Sequence, residues 1–296
     1  MSRYRFALMG GDLRSSRLGE MLEESGHQVI YYALEGGKMG GQYNRVANAY
    51  EAACQGDILV GPVPLTTDGI TLNTPLHVGD VFLSEFVSRI PKGKIFIAGN
   101  IPDTVRATLE ENGVVVEDLL ARDDLAILNS VPTAEGAIQI AMEELPVTIQ
   151  GLNVLVTGYG RVGKTLCGDL KSLGAHVWVC VRNPKDTAYA TASGLLPCNY
   201  GNVYDVLPKI SLLYNTVPKQ VINRGILERL PKNCLIIDVA SNPGGVDWEA
   251  AQELEIRVIK ALSLPGKVAP VTAAENMLAV IFNIIAEKEK EVMGHA

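Results

Sequence analysis

Three glycines carry the most chemistry in this chain: Gly158, Gly160 and Gly163, within NVLVTGYGRVGKTLCGDL, residues 153–170. An apolar run of β-formers precedes them, and a run with helical periodicity follows. A G-x-G-x-x-G between a strand and a helix is the fingerprint of a dinucleotide site. Gly158 permits the tight turn, Gly160 lets backbone approach a pyrophosphate, and Gly163 lets the helix pack on the strand. Tyr159, Arg161 and Val162 fill the variable positions and would meet the same ligand. The helix start adds free N–H groups and a positive dipole end. The competing reading is a glycine turn without a ligand, which the agreement of strand, helix and following strand opposes.

The end of the following strand decides which dinucleotide. NAD sites place an Asp or Glu there to hold the ribose hydroxyls. This chain reads VWVCVRNPKD, with Arg182 and Asn183 in that place. A guanidinium there can make bidentate bonds to a 2′-phosphate, so NADP is expected rather than NAD. The alternative keeps Arg182 as a solvated strand-end charge and bends Asp186 back to the ribose. Two later loops, NTVP (Asn215–Pro218) and DVASNPGGVD (Asp238–Asp247), each follow a predicted strand. They fall at the carboxyl edge of the sheet, where ligands lie in open α/β folds. Asn215, Thr216, Val217 and Ser241 are expected beside the nicotinamide end. Ordinary turn chemistry is the other account of them.

General acid–base candidates are scarce. His27, His176 and His295 read as structural, which leaves His77, in a long irregular section at 62–92. A 2-hydroxyacid dehydrogenase would carry a carboxylate-supported histidine near its last loops, and ALSLPGKVAPVTAAEN has none. Its Lys267 can bind a carboxylate or carbonyl and is a catalytic candidate. In GGDLRSSR, Asp12 reads as a helix cap, and Arg14 and Arg17 fall on one helix face. Cations near a helix start oppose the dipole by ~0.3–1 kcal/mol each, which points to an anionic ligand; Arg14 is carried as a catalytic candidate as well. The rival reading bonds this pair to Glu20 and Glu24. In NSVPTAEG, the residues Asn129, Ser130 and Thr133 are expected to donate to a substrate carboxylate, and Glu135 to take a proton. Capping by Thr133 and dipole matching by Glu135 explain the same residues without a substrate.

The elements that must position these residues alternate strand and helix along both halves, which implies parallel sheets covered on both faces. The expected fold is α/β, with two Rossmann-like or flavodoxin-like domains and a cleft between them. Residues 1–130 form the first, substrate-side domain. A connecting helix and linker occupies 131–150, with a helix from Thr133 to Leu145. The dinucleotide domain spans 151–272, and a last helix at 273–296 packs back on the first domain.

Composition narrows the class further. The chain has 296 residues, 47% hydrophobic and 20% charged, with a net charge of −7. It reads as a soluble globular protein. No basic tract suits nucleic acid, and no apolar run reaches the ~20 residues of a membrane span. The five cysteines show no metal-binding spacing and read as reduced, mostly buried thiols. No metal site is expected.

Taken together, AILNSVPTAEGAIQIAMEELPVTIQGLNVLVTGYGRVGK, DVASNPGGVD, ALSLPGKVAP and the opening MGGDLR resemble the dipicolinate synthase A-subunit family. The resemblance runs over essentially the whole chain. The wider architecture is similar to alanine dehydrogenase and adenosylhomocysteine hydrolase. The resemblance implies NADP-dependent oxidation of dihydrodipicolinate to dipicolinate, pyridine-2,6-dicarboxylate. It places the protein in the mother-cell cytoplasm of a sporulating bacterium. It also implies a partner, the flavoprotein-like B-subunit of dipicolinate synthase, with a homo-oligomer as an open option. Loss of hydride and proton aromatises the ring, so the protein's tasks are to orient the ring and hold two carboxylates. Three other readings stand beside it. One is a hydrolase with permanently bound NAD, which Arg182 opposes. Another is a non-catalytic NAD(P)-binding regulatory protein. The third is a two-domain dehydrogenase acting on an amino or dicarboxylic acid.

Overall fold

Short apolar strands alternate with helices to build two parallel sheets, one in each of two compact units. The computed structural model describes residues 3–37 and 44–294. Unit 1 is Met1–Leu128 with Ala269–Ala296, and unit 2 is Asn129–Val268.

Unit 1 runs β1 (Arg5–Met9), α1 (Leu13–Glu24), β2 (Gln28–Tyr32), β3 (Asn44–Arg45), α2 (Ala49–Gln55), β4 (Ile58–Val60), α3 (Leu83–Ser88), β5 (Ile95–Ala98), α4 (Asp103–Glu111), β6 (Val115–Asp118) and α5 (Asp123–Leu128). Unit 2 continues with α6 (Ser130–Glu144), β7 (Asn153–Thr157), α7 (Arg161–Ser172), β8 (His176–Cys180), α8 (Pro184–Ala192), β9 (Leu196–Cys198), β10 (Leu212–Asn215), α9 (Arg224–Leu227), β11 (Leu235–Asp238), α10 (Trp248–Glu253), β12 (Arg257–Lys260) and α11 (Leu264–Val268). The chain then returns to unit 1 as α12 (Pro270–Gly294).

The sheets are β3-β2-β1-β4-β5-β6 and β12-β11-β10-β7-β8-β9, with every pairing parallel. Numbered within each unit, both follow the order 3-2-1-4-5-6 of dinucleotide-binding folds, not the flavodoxin order. The central strands are buried on both faces, which explains their unbroken apolar runs, such as Phe6–Met9 and Val154–Val156. In unit 1, α12 buries Ala274, Met277, Ile281 and Ile284 against Phe6, Leu8, Leu18 and Leu22. Their spacing is that of one helix face. Arg122 clips α12 from outside by bonding both Glu287, on α12, and Asp124.

Several boundaries differ from the sequence expectation. Residues 131–150 are part of unit 2, because Ala134, Ala137, Ile138 and Ala141 of α6 share a core with Leu166, Cys167 and Leu170 of α7. The helix starts at Ser130 rather than Thr133, so Thr133 is not its cap. YNRVANAYEAAC, Tyr43–Cys54, reads as a helix from its residues, but α2 begins only at Ala49; Asn48 caps it by accepting from Glu51 N–H, and β3 precedes it. Tyr43 itself lies outside the described residues, as do His295 and the last residue of the predicted terminal helix. The irregular section at 62–92 contains α3. The apolar stretch near RVIKALSLP ends as a strand at Lys260 and turns into α11. Cys167, Cys180, Cys198 and Cys234 are buried free thiols, and Cys54 is exposed. No helix among the described residues is long and apolar enough to cross a membrane.

Candidate functional site

The glycine turn leaves β7 and opens α7. Gly158 has φ +91°, and a Cβ there would lie 2.6 Å from Thr216 Oγ1. A Cβ on Gly163 would lie 2.3 Å from the Gly158 carbonyl oxygen, so the first turn of α7 packs directly on the loop. Gly160, the N-cap of α7, has φ −82° and would meet nothing within 4 Å. Two of the glycines are therefore required by the protein's own packing, and the middle one is not. Of the variable positions, Tyr159 and Val162 are half-buried and Arg161 is exposed.

Arg182 follows β8. The Gly158 N–H bonds the Cys180 carbonyl at 3.2 Å, which brings the end of β8 beside the glycine turn. Arg182 is exposed and makes no ion pair among the described residues. Asn183 caps α8: its Oδ1 accepts from Asp186 N–H, and its Nδ2 donates to the Asp186 carboxylate, both at 2.8 Å. Asp186 is thus engaged within its own helix cap.

Across the sheet, the loops after β10 and β11 are tied by a buried network. Asn215 Oδ1 accepts from Thr157 Oγ1 at 2.7 Å and from Val217 N–H at 3.1 Å. Asn215 Nδ2 donates to Asp238 Oδ1 and to the Val217 carbonyl. Asp238 also accepts from Ala240 N–H and Gly245 N–H. Asn215 and Asp238 are both 0% exposed. This corrects the placing of Asn215 among ligand residues: all its amide capacity is spent inside the protein, where it shapes the β10 loop. Val217 is likewise buried, and its side chain packs toward the Gly158 turn. Thr216 stays at the turn, half-buried, with its hydroxyl donating to the Thr157 carbonyl at 2.8 Å. Ser241 is exposed beyond the end of β11. Sequence reasoning missed Thr157 and Asp238; the signal was an acid closing the otherwise apolar run CLIID.

The α6 candidates divide. Ser130 is buried and its hydroxyl lies 2.7 Å from that of Thr165, which fixes the start of α6 to the first turns of α7. Thr133 donates to the Asn129 carbonyl at 2.7 Å. Both hydroxyls therefore have partners within the helical layer, and Asn129 turns the chain into α6. Glu135 lies in a groove between α6 and α7 with Ile138, Met142, Asp169 and Leu173. Burial, and then the charge of Glu135, pushes the Asp169 carboxyl up. Asp169 is about 12 Å along α7 from its start, at 1.5 Å per residue. Glu135 is thus withdrawn as a proton acceptor, because helix phase carries it away from the glycine turn. Lys267 is exposed on α11, just past the carboxyl end of β12.

In unit 1, the counterpart of the glycine turn is filled by the chain itself. Gly11 N–H bonds the Asn73 carbonyl and Gly36 N–H bonds the Leu76 carbonyl. A Cβ on Gly10 would fall 2.7 Å from Thr74 Cγ2. Residues 72–76 therefore lie over the ends of β1 and β2, where a second dinucleotide would need space. Arg14 is 9% exposed and folds back on this edge. Its Nε and Nη2 grip both oxygens of Asp12, and Nη2 also donates to the Val63 carbonyl. Its role is to tie the β1 loop to the β4 loop, which corrects its reading as a free substrate or catalytic cation. Arg17 bonds Glu20 at 2.6 Å, with Glu24 at 3.7 Å, so the paired alternative is the one realised. His77 Nδ1 lies 2.8 Å from Glu35 Oε2, on the same edge of unit 1.

Two units with dinucleotide-fold sheets, one with an open glycine turn, define a dehydrogenase-type architecture. The family model for the N-terminal domain of the dipicolinate synthase A-subunit matches residues 5–120. The dipicolinate synthase A-subunit of Bacillus subtilis is 30% identical over 289 residues, 97% of each chain. The crystal structure of the corresponding protein from Bacillus halodurans superposes with a TM-score of 0.89 at 26% identity, covering 96% of this chain and 98% of that one. An L-alanine dehydrogenase shares the fold, with a TM-score of 0.63 at 16% identity over 96% of this chain and 91% of that one. The chain belongs to the dipicolinate synthase A-subunit family.

Proposed function

We propose that unit 2 binds NADP on the Gly158–Gly163 turn and that the protein uses it to oxidise dihydrodipicolinate to dipicolinate. The carrying observation is Gly160. The fold would accommodate a side chain there, since a Cβ meets nothing within 4 Å, yet the position is glycine at a helix N-terminus. Close approach of a pyrophosphate to the backbone explains that choice. NADP rather than NAD is supported by Arg182 at the strand end and by the engagement of Asp186 in its own cap.

Held on the Gly158–Gly163 turn, the nicotinamide would supply the hydride acceptor for the oxidation, and the ring proton would leave to water. The chain's own residues bind and orient. Lys267, exposed past β12, offers a cation to one carboxylate. Thr216 lines the turn, and the Thr157–Asn215–Asp238 network holds its loop in shape. Family membership supports the substrate, the mother-cell cytoplasm of a sporulating bacterium, and the B-subunit of dipicolinate synthase as partner.

The test mixes the protein with NADP and dihydrodipicolinate and follows absorbance of NADPH. Turnover is expected with the protein alone or with the B-subunit added. Tight NADP binding without turnover in either case would favour a regulatory nucleotide-binding protein. Arg182→Asp is expected to invert the NADP/NAD ratio of kcat/KM, because it removes an attraction and adds a repulsion. A wild-type ratio near one would remove the NADP assignment.

A further inference from the structure

The structure assigns Lys164 a place as second cation for the 2′-phosphate of the cofactor, beside Arg182; the assignment rests on the NADP reading above. Lys164 directly follows Gly163 in the first turns of α7, and its side chain is exposed. The first turn of α7 holds no acid. A cation near the positive end of a helix dipole works against it. That arrangement becomes favourable when an anion is bound.

The position of the ammonium is set by two rings. Lys164 Nζ lies 5.4 Å from the centroid of Tyr159, in the glycine turn, and 5.8 Å from that of Tyr189, on α8. Both are within the range of cation–π attraction. A carboxylate partner would hold the lysine equally well but cancel its charge. Aromatic faces hold it and leave the charge available to an incoming phosphate.

The direction of the side chain separates the two phosphate groups of the cofactor. The pyrophosphate is served by backbone N–H groups at the start of α7. Tyr189 draws the ammonium toward α8, the helix that Asn183 caps immediately after Arg182. Lys164, on α7, is thus drawn toward the helix that follows Arg182, which itself lies in the β8–α8 connection. A lysine contributes there as a point charge and the arginine as a fork.

Calorimetric titration of NADP and NAD into wild type, Lys164→Met, Arg182→Met and Tyr189→Leu tests this. Lys164→Met is expected to weaken NADP roughly tenfold, the low end for a charge-assisted contact, and to leave NAD unchanged. Tyr189→Leu keeps the charge but frees the ammonium, and should weaken NADP a few-fold with NAD again unchanged. Equal losses for both nucleotides would move Lys164 to the pyrophosphate and overturn the assignment. So would full NADP preference in Lys164→Met when Arg182→Met has lost it. A wild type that does not prefer NADP overturns the NADP reading itself. Thermal unfolding of each variant, all at exposed side chains, confirms that the fold is kept.

Discussion

Asn215 and Asp238, both fully buried, are joined by a 2.7 Å hydrogen bond from amide Nδ2 to carboxylate Oδ1. Asn215→Ala would leave the buried Val217 N–H without its acceptor, and would take one donor from the Asp238 carboxylate and one acceptor from the Thr157 hydroxyl. Each unsatisfied buried group costs ~1–3 kcal/mol, more for a charged one. We expect Asn215→Ala to lose at least ~2 kcal/mol of unfolding free energy, measured by urea titration. Unchanged stability with a large loss of cofactor affinity would return Asn215 to the ligand set.

Gly160 and Gly163 separate binding from folding. Gly160→Val should abolish NADP binding with little change in stability, because the space it enters is empty of protein. Gly163→Val should destabilise, because its Cβ would press on the Gly158 carbonyl at 2.3 Å. Calorimetry and thermal unfolding on both variants give the comparison. Wild-type NADP affinity in Gly160→Val would remove the site.

Lys267 and Arg14 should part in the same way. Lys267→Ala removes an exposed ammonium and is expected to raise KM for the dicarboxylate by one to two orders of magnitude, from ~1.5–3 kcal/mol of charge-assisted contact. Its unfolding midpoint should not move. Arg14→Ala leaves the Val63 carbonyl without its side-chain donor and the Asp12 carboxylate with only its helix-cap bond to the backbone N–H of residue 14, so its first effect should be a lower midpoint. Steady-state kinetics beside urea unfolding distinguishes them. A wild-type KM in Lys267→Ala would show that it is no carboxylate clamp.

Acid should weaken the attachment of α12. Hydrogen bonds from Arg122 hold the Asp124 carboxyl down at about 2 and the Glu287 carboxyl below its ordinary value. Groups depressed in the folded state stabilise it above their unfolded pKa, near ~4. That contribution is lost as pH falls through the folded values. The difference in stability between wild type and Arg122→Gln should therefore be full above about pH 5 and shrink toward pH 2. These side chains are partly exposed, so the difference should stay near ~1 kcal/mol or less per pair. Urea unfolding across that range measures it; a difference independent of pH would show that the carboxylates carry none of it.

Much of the fold is legible in the one-dimensional pattern. G-x-G-x-x-G between a strand and a helix locates the open turn because its requirements are local: a positive φ at Gly158, contact within a few residues at Gly163. Buried strands announce themselves as apolar runs, and α12 by one apolar face, because burial on a parallel sheet imposes a composition on contiguous residues. Arg182 can be placed because β8 is the next strand after the turn and pairs directly with β7. Short helices such as α3 and α11 escape detection, since a turn or two of helix has too few residues to show a period.

Tertiary structure alone decided the partners of each polar side chain. Arg14, Asn215 and Glu135 have the right chemistry for a site, but sequence spacing does not say where a long side chain finds its hydrogen bonds. Arg14 found Asp12 and Val63, Asn215 found Asp238, and Glu135 was carried by helix phase to Asp169. Residues 72–76 fill the turn of unit 1 while that of unit 2 stays open, although both sheets have the same strand order. Strand order follows from local pattern and handed connections. What lies over the strand ends depends on contacts between residues far apart in the chain, and only the folded arrangement sets them.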